Sequence, residues 1–413
     1  MKYKSDFLNE ISSRGFIYQA SDIDDFDNLI SKKNITAYIG FDITSDSLHI
    51  GSLVQLMLLH WLDHYDNNSI ALMGGGTTLI GDPSGKDESR KILSHEDILN
   101  NIKKIENTFN KFINLKKNAK IINNYEWLSD LNYINFLRDI GSKITINKML
   151  TFDSVKNRLD REQPLTFLEF NYMLLQAYDF YYLNKNYNCE LQLGGSDQWG
   201  NILNGIDLIR RLNNKKTYAI TSPLITNNDG SKMGKTADGA IWLDEAKLSN
   251  YDFFQFWINI DDANVSQFLN LFTKLPLDEI SKLSKLEGKE INEAKKILAY
   301  EVTKLCRGLE QAEEALDITN NIFKSNLLDE RIKSIQVRSK NIFDSSFSII
   351  DAIEKLELVK SRSEIKRLIK SDGIKINDQI YKENNFSLKQ YASEKEVKIS
   401  VGKKKIGKLK ITD

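Results

Sequence analysis

Cysteine is almost absent. Only Cys189 and Cys306 occur among 413 residues, too few for a disulfide framework, and a reducing compartment is the default. Long apolar runs are missing too: the most hydrophobic stretch, LVQLMLLHWL at 53–62, is short and broken by Gln55 and His60, so no membrane span is expected. The opening MKYKSDFLNE lacks the apolar core of a secretory leader, and a cytoplasmic protein is the expectation. Neither sign of charge is in excess, since 57 Lys+Arg meet 57 Asp+Glu. With 41% hydrophobic and 28% charged residues the composition excludes wholesale disorder, and the length suits two or three domains. No internal repeat and no low-complexity tract is present.

The neutral total hides an asymmetry. Residues 345–413 carry 16 Lys+Arg against 10 Asp+Glu, a net of +6 that leaves −6 on the first 344 residues. A basic terminal module on an acidic body suits a polyanion partner, because lysines gain binding energy from released counterions. A solvated surface with extra lysines accounts for the same numbers.

The chain reads in parts. Residues 1–34 are helical and polar. From Thr36 to about Thr226, strand-like runs TAYIGF (36–41), SIALMGG (69–75), AKIINN (119–124) and CELQLGG (189–195) alternate with helical patterns. That alternation predicts a parallel sheet covered by helices, with any ligand at the carboxyl ends of the strands, where glycines fall. Residues 247–328 read as helices, with Gly288 and Gly308 their only glycines, and 329–344 as a polar linker. The rest, 345–413, pairs a helix–turn–helix-like stretch with strand-like runs ending in KKKIGKLKI.

Five motifs carry chemistry. In DITSDSLHIGSL (42–53) a strand ending at Phe41 turns through Thr44 into a helix that begins near His49. Unpaired helix N–H groups and the positive dipole end make such a start an anion site, and Gly51 admits a ligand to the backbone. His49 either adds a hydrogen bond to a phosphate or simply caps the helix. ALMGGGTTLIGDPSGK (71–86) puts three glycines at a strand end, then Asp82, with Lys86 and Arg90 four residues apart. This is either backbone on which a ligand lies or a plain turn. In FLEFNYMLLQAYDFYYL (167–183), Tyr172, Gln176 and Asp179 share one helical stripe among apolar neighbours. A buried polar stripe is costly unless its hydrogen bonds are met, so it meets a polar ligand or faces water. LQLGGSDQWGNI (191–202) ends a strand in Gly194-Gly195 and offers Ser196, Asp197 and Gln198; Asp197 suits ribose hydroxyls. DGSKMGKT (229–236) is a loop whose Lys232 and Lys235 suit closure over polyphosphate in a transition state. His60 and His64 sit four apart, but HExxH and a third ligand are missing, so no metal site is expected. The aromatic cluster Tyr178, Phe180, Tyr181 and Tyr182 reads as core.

In this order and spacing the motifs closely resemble bacterial tyrosyl-tRNA synthetases, class I aminoacyl-tRNA synthetases, over essentially the whole chain. HIGS (49–52) is similar to the family's HIGH signature and KMGKT (232–236) to its KMSKS loop; YIGFD, GDPSGK, FNYMLLQAYDF and GGSDQWGN resemble the tyrosine-specific branch. The resemblance implies an α/β fold: a Rossmann-like parallel-sheet catalytic domain over 1–246, then an α-helical anticodon-side domain (247–328). After the linker would come a small α+β RNA-binding module (345–413) of the type found in a protein of the small ribosomal subunit. An inserted segment at about 125–165 would form a homodimer interface, and 227–240 a mobile lysine loop.

By the same resemblance Tyr38 and Asp179 would bond the phenolic hydroxyl of L-tyrosine, and Asp82, Tyr172 and Gln176 its α-ammonium group, with Gln198 also in the tyrosine site. Gly40, Asp42, Gly51, Ser52, Gly195 and Asp197 would line ATP or the adenylate. Thr44, His49, Lys86, Arg90, Lys232 and Lys235 would meet the pyrophosphate end and carry the catalysis. Magnesium would accompany ATP, held mainly by its phosphates, with no tightly bound cofactor. Arg362, Lys366, Arg367 and Lys370 would contact the phosphates of tRNA(Tyr). Ser52 departs from the second histidine of HIGH, and Ile39 and Gln55 stand where some relatives carry polar residues near the ribose. Three alternatives share parts of this pattern: a tryptophanyl-tRNA synthetase, a shorter small-molecule adenylyltransferase, and a catalytically inactive synthetase-like RNA-binding paralogue. The Tyr38/Asp179 pair and the basic tail disfavour the first. Decay in the last should strike His49, Lys232, Lys235 or Asp179, and all four are present.

Overall fold

The four strand-like runs pair into one sheet in the computed structural model, which describes residues 2–81, 93–226, 233–236, 239–324, 333–344, 346–359, 361–382, 386–402 and 405–412. In chain order the sheet comprises β1 (Gln19–Ala20), β2 (Thr36–Phe41), β3 (Asn68–Met73), β4 (Ala119–Asn123), β5 (Cys189–Gly195) and β6 (Tyr218–Ser222). Their spatial order is β1-β6-β5-β2-β3-β4. Strands β2 to β6 are parallel; β1 closes one edge antiparallel to β6. The chain leaves β2 in one direction toward β4 and resumes on its other side at β5. The carboxyl ends of β2 and β5 therefore flank the crevice where ligands of such sheets bind.

The helices follow from their sequences. Leu53–His64 is apolar almost all round and buries eight residues, as a helix packed within a core must. Phe167–Tyr187 begins at a capping box between Thr166 and Glu169, and Asn188 ends it in the left-handed region at φ 50°. On one face of the sheet Tyr38, Ile70, Leu72 and Ile122 pack with Phe180 and Leu183 of that helix and Ile209 of helix Trp199–Asn213. Gly205 makes the helix pair close: a Cβ there would lie 2.9 Å from Cδ1 of Phe180. Phe180 is core as expected, whereas Tyr178, Tyr181 and Tyr182 pack at its margin, only partly buried.

A hairpin, β7 (Lys235–Thr236) with β8 (Gly239–Ala240), follows the sheet. The 334–344 stretch corrects the linker expectation. Ser334–Arg338 is strand β9 and Ser339–Phe343 a short helix. With β10 (Ile374–Ile376), β11 (Gln379–Ile380), β12 (Glu396–Val401) and β13 (Lys405–Thr412), β9 forms a five-stranded sheet, order β11-β10-β12-β13-β9. In SIQVR polar and charged residues alternate with Ile335 and Val337, and only Val337 is fully buried, so an edge strand reads as a polar connector. Capped helices Ile349–Lys355 and Arg362–Lys370 supply Ile350, Ile353 and Ile365 to that module's core.

The chain divides into two compact units: 1–248 with 262–294 and 305–307, and 249–261 with 295–304 and 308–413. Among the described residues no helix is long and apolar enough to cross a membrane.

Candidate active site

Strand β2 carries Tyr38 inward at 1% exposure, and its hydroxyl has no hydrogen-bond partner among the described residues. Burial, and next the charge of Asp179, push that hydroxyl well above the usual phenol range. Asp179 is equally buried on helix Phe167–Tyr187. Its carboxylate accepts from Asn124 Nδ2 at 2.8 Å and from Trp127 Nε1 at 2.8 Å. These donors favour the anion, but burial outweighs them and raises the carboxyl from 3.8 to about 7. Asn124 is fixed in turn, accepting from the Gly76 amide at 2.8 Å and donating to Thr77 Oγ1 at 3.0 Å. Trp127 stacks on Tyr182 with 4.2 Å between ring centres. A buried unpartnered hydroxyl beside a doubly held carboxylate is a site for one more hydroxyl.

Two turns earlier on the same helix, the Tyr172 hydroxyl donates to Asp42 Oδ1 at 3.4 Å. Gln176 Oε1 accepts from Asn201 Nδ2 at 3.0 Å, and the same amide reaches Gln198 Oε1 at 3.2 Å. The predicted stripe of Tyr172, Gln176 and Asp179 thus lies along the crevice. Among the described residues a Cβ at Gly40 would meet nothing within 4 Å. Thr44 and Asp197 are exposed; a Cβ at Gly195 would lie 2.7 Å from Asp197 Oδ1.

His49 takes the capping position. Its Nδ1 accepts from the Gly51 amide at 3.0 Å as N-cap of the turn Ile50–Ser52. An accepting Nδ1 leaves the proton on Nε2, so the neutral ring also carries a donor. Ser52 donates its amide to His49 O at 2.8 Å, and its side chain does not cap the helix that follows. Gln55 reaches Ser222 Oγ at 3.4 Å while its own oxygen is buried without a partner among the described residues.

The turn is fastened to the chain around the hairpin. Ile50 N donates to Ile241 O at 3.0 Å, Leu243 N to Leu48 O at 2.8 Å, and Ile241 N to Gly234 O at 2.9 Å. Gly234 sits at φ 92°, and a Cβ on it would lie 2.8 Å from Ile50 Cγ1. Replacing it with valine adds backbone strain of about 1–3 kcal/mol and a clash with the HIGS turn. On the tyrosine activation that the resemblance implies, Gly234→Val should slow single-turnover adenylate formation roughly 10-fold or more at unchanged tyrosine affinity. A wild-type rate by rapid quench would mean that this contact is not needed.

The glycines of ALMGGGTT have a different use from the one expected. They open the short helix Gly75–Ile80 and fit against protein: a Cβ on Gly75 would collide with Asn123 Oδ1, and one on Gly76 would lie 3.0 Å from Leu128 Cδ1. Close packing against the end of β4 explains them, because it brings Asn124 within reach of Gly76 and Asp179. Asp82, Lys86, Arg90 and Lys232 lie outside the described residues, and of Lys235 only the backbone, paired with Ala240, is described. Among the described residues no group of three or more His, Cys, Asp or Glu could hold a metal ion.

Asn124, Trp127, Thr77 and Asn201 escaped the sequence reading. The available signal was the pair Asn123-Asn124 closing the strand-like run AKIINN, since polar residues at carboxyl strand ends face the crevice.

A family model described as tRNA synthetases class I (W and Y) matches residues 31–324. The chain is 50% identical over 409 residues to a tyrosine–tRNA ligase of Rhodopseudomonas palustris, covering 98% of each chain. It is 48% identical over 419 residues to one of Wolbachia pipientis subsp. Culex pipiens, covering 100% of this chain and 99% of the other. Among solved structures, a C-terminally truncated mitochondrial tyrosyl-tRNA synthetase of Aspergillus nidulans superposes with a TM-score of 0.70 at 29% identity, over 78% of this chain and 95% of that one. The chain belongs to the class I tRNA synthetases of the tryptophan and tyrosine type.

Proposed function

We infer that the chain is a tyrosine–tRNA ligase. It activates L-tyrosine with ATP and transfers the tyrosyl group to tRNA(Tyr). The observation that carries the substrate is the buried pair at the floor of the crevice: the unpartnered Tyr38 hydroxyl and the Asp179 carboxylate held by Asn124 and Trp127. A substrate phenol donates to Asp179 and accepts from Tyr38. Phenylalanine leaves both unmatched, which is the physical basis of hydroxyl-dependent selectivity; tyrosyl-tRNA synthetases are themselves the reference case, at about 10⁵ without editing.

With the phenol seated there, Tyr172, Gln176, Gln198 and Asp82 hold the amino-acid end, and Gly40, Asp42, Gly195 and Asp197 line the adenylate. The tyrosine carboxylate attacks the α-phosphorus in line, a carboxyl–phosphorus bond forms, and pyrophosphate leaves. A terminal ribose hydroxyl of the tRNA then attacks the acyl carbon and AMP departs. Catalysis rests on positioning and on His49, Thr44, Lys86, Arg90, Lys232 and Lys235 meeting charge on the departing pyrophosphate. Magnesium enters with ATP on its phosphates.

The RNA reading of 345–413 rests on its excess of +6. The four cations proposed for phosphate are all exposed, but Arg362 already meets Asp351 and lies 3.6 Å from Glu354, and Arg367 lies 3.9 Å from Glu364, which favours Lys366 and Lys370 for the contact. Residues 247–328 would face the anticodon side of the tRNA. A homodimer is supported by apolar residues exposed on the inserted segment and the helix start after it: Tyr133 at 59%, Ile134 at 68%, Ile146 at 63% and Phe167 at 70%. Ile134→Asp with Phe167→Asp should shift the sedimentation-equilibrium mass from two chains to one; an unchanged mass would move the interface elsewhere. A cytoplasmic location fits a partner found there.

Tyrosine-dependent pyrophosphate exchange into ATP, compared with phenylalanine and tryptophan, tests the activity. Exchange with tyrosine alone is expected. Exchange with tryptophan, or none from folded protein, would overturn the reading.

A further inference from the structure

The turn between β2 and His49 carries Asp42, Thr44 and His49, and it has no regular secondary structure of its own before His49. Its two ends are pinned through the backbone. Ile43 N donates to Thr78 Oγ1 at 2.9 Å, and Leu48 O accepts from Leu243 N at 2.8 Å. Its middle is held by side chains that converge on one carboxylate. Asp46 accepts from Lys104 Nζ at 2.9 Å and forms an ion pair with Lys247, while Lys247 also reaches Ser45 Oγ at 3.4 Å.

The two lysines come from different elements. Lys104 lies on helix His95–Phe109. Lys247 belongs to the segment that leaves the β7–β8 hairpin, and its ammonium lies 4.6 Å from the centre of the Trp242 ring. Trp242 pairs by a β-bridge with His49, their rings edge to face at 6.3 Å. That segment is itself clamped: the largely buried Arg307 donates to Trp242 O at 3.0 Å and to Leu248 O at 3.0 Å, on either side of Lys247. Lys247 is therefore an arm on a fixed base, and Asp46 is the part of the turn it holds. The paired lysines keep the Asp46 carboxyl well below the usual carboxylate range, so the ion pairs persist at neutral pH.

We propose that Asp46 is a positioning residue for tyrosine activation, tying the turn with Asp42, Thr44 and His49 to Lys104 on one side and to the segment after the lysine hairpin on the other. The proposal rests on the ligase reading above. Asp46 touches no reacting atom in it. Side-chain exposure is 60% for Lys104 and 27–28% for Asp46 and Lys247, so these bridges are half in water and add little to global stability. Their consequence is local. A phosphate-contacting turn that shifts by about 1 Å loses on the order of 100-fold in rate.

The test is tyrosine-dependent pyrophosphate exchange by the full-length protein and by Asp46→Asn, Asp46→Glu, Lys247→Met and Lys104→Met, with tyrosine affinity measured by equilibrium dialysis. Asp46→Asn and Lys247→Met should lower kcat about 10- to 100-fold while the tyrosine dissociation constant stays within about twofold. Lys104→Met should do the same to a smaller degree, and Asp46→Glu should recover part of the rate. A wild-type kcat in both Asp46→Asn and Lys247→Met overturns the proposal. So does a lower KM for ATP at unchanged kcat, which would make Asp46 a mask over two phosphate-seeking lysines. Should Asp46→Asn fail to fold, Lys247→Met and the exposed Lys104→Met decide by the same criteria. Absence of exchange in the unaltered protein would overturn the ligase reading itself, and so is distinct from exchange that the variants leave unchanged.

Discussion

Asp179→Asn should cut the preference for tyrosine over phenylalanine roughly 10- to 150-fold. The variant keeps the shape of the side chain but replaces an acceptor-only carboxylate by an amide. Two donors already converge on that group, Asn124 Nδ2 and Trp127 Nε1, and a phenol hydroxyl would be the third. An amide offers one acceptor oxygen and turns its NH₂ toward one of these donors. A hydrogen bond to a charged group contributes about 1.5–3 kcal/mol, so kcat/KM for tyrosine should fall roughly 10- to 150-fold. Phenylalanine makes no such bond and should change little. Competitive exchange measurements give the ratio directly; undiminished discrimination would remove Asp179 from the specificity role.

The second large effect is in pH. Folding raises the Asp179 carboxyl from 3.8 to about 7 because burial disfavours the anion. Between about pH 4 and pH 7 the folded protein holds a proton that the unfolded chain has released, so stability falls as pH rises through that window. Below it both states are protonated and the cost vanishes; above it the cost is constant, on the order of 4 kcal/mol. Asp179→Asn should lack this slope in denaturant titrations at pH 5 and pH 8. Tyrosine binding runs the other way, because the phenol needs the ionised acceptor. Its affinity should rise about tenfold per pH unit below 7 and level off above it. Calorimetry at pH 6 and pH 8, with the asparagine variant as control, checks this. A flat profile in the unaltered protein would mean that the carboxylate is ionised throughout.

The two effects share one cause. The protein buries a carboxylate with no cation beside it among the described residues, an arrangement that is unfavourable for the empty site and that a phenol would relieve. Tyr38 adds to the same tension, with a hydroxyl that has no partner among the described residues and that a substrate phenol would match. Stability given up in the empty crevice returns as selectivity for the hydroxyl.

Much of this was legible in the chain. The runs 36–41, 69–75, 119–124 and 189–195 became β2 to β5, because each is a short run carrying apolar residues with a glycine or asparagine at or beside its end. The helical stripe Tyr172, Gln176 and Asp179 followed from a period of 3.6, and the turn at His49 from its strand–turn–glycine order. What the chain concealed was weaker in pattern. Strand β6 is a short apolar run beside a proline, and β9 is a half-polar edge that looks like a connector.

The sequence alone determined the fold class and the family resemblance, because period, spacing and residue type are local properties that survive without coordinates, and it was that resemblance that proposed Tyr38 and Asp179 for the phenol. Only the tertiary structure decided what holds those residues. Asn124 and Trp127 stand 55 and 52 positions from the Asp179 they bind, and Lys104 and Lys247 stand 58 and 201 positions from Asp46. No periodicity links such pairs. They meet because parallel strands bring distant crossover segments to one edge of the sheet, where the turn after β2, the end of β4 and the chain leaving the hairpin converge.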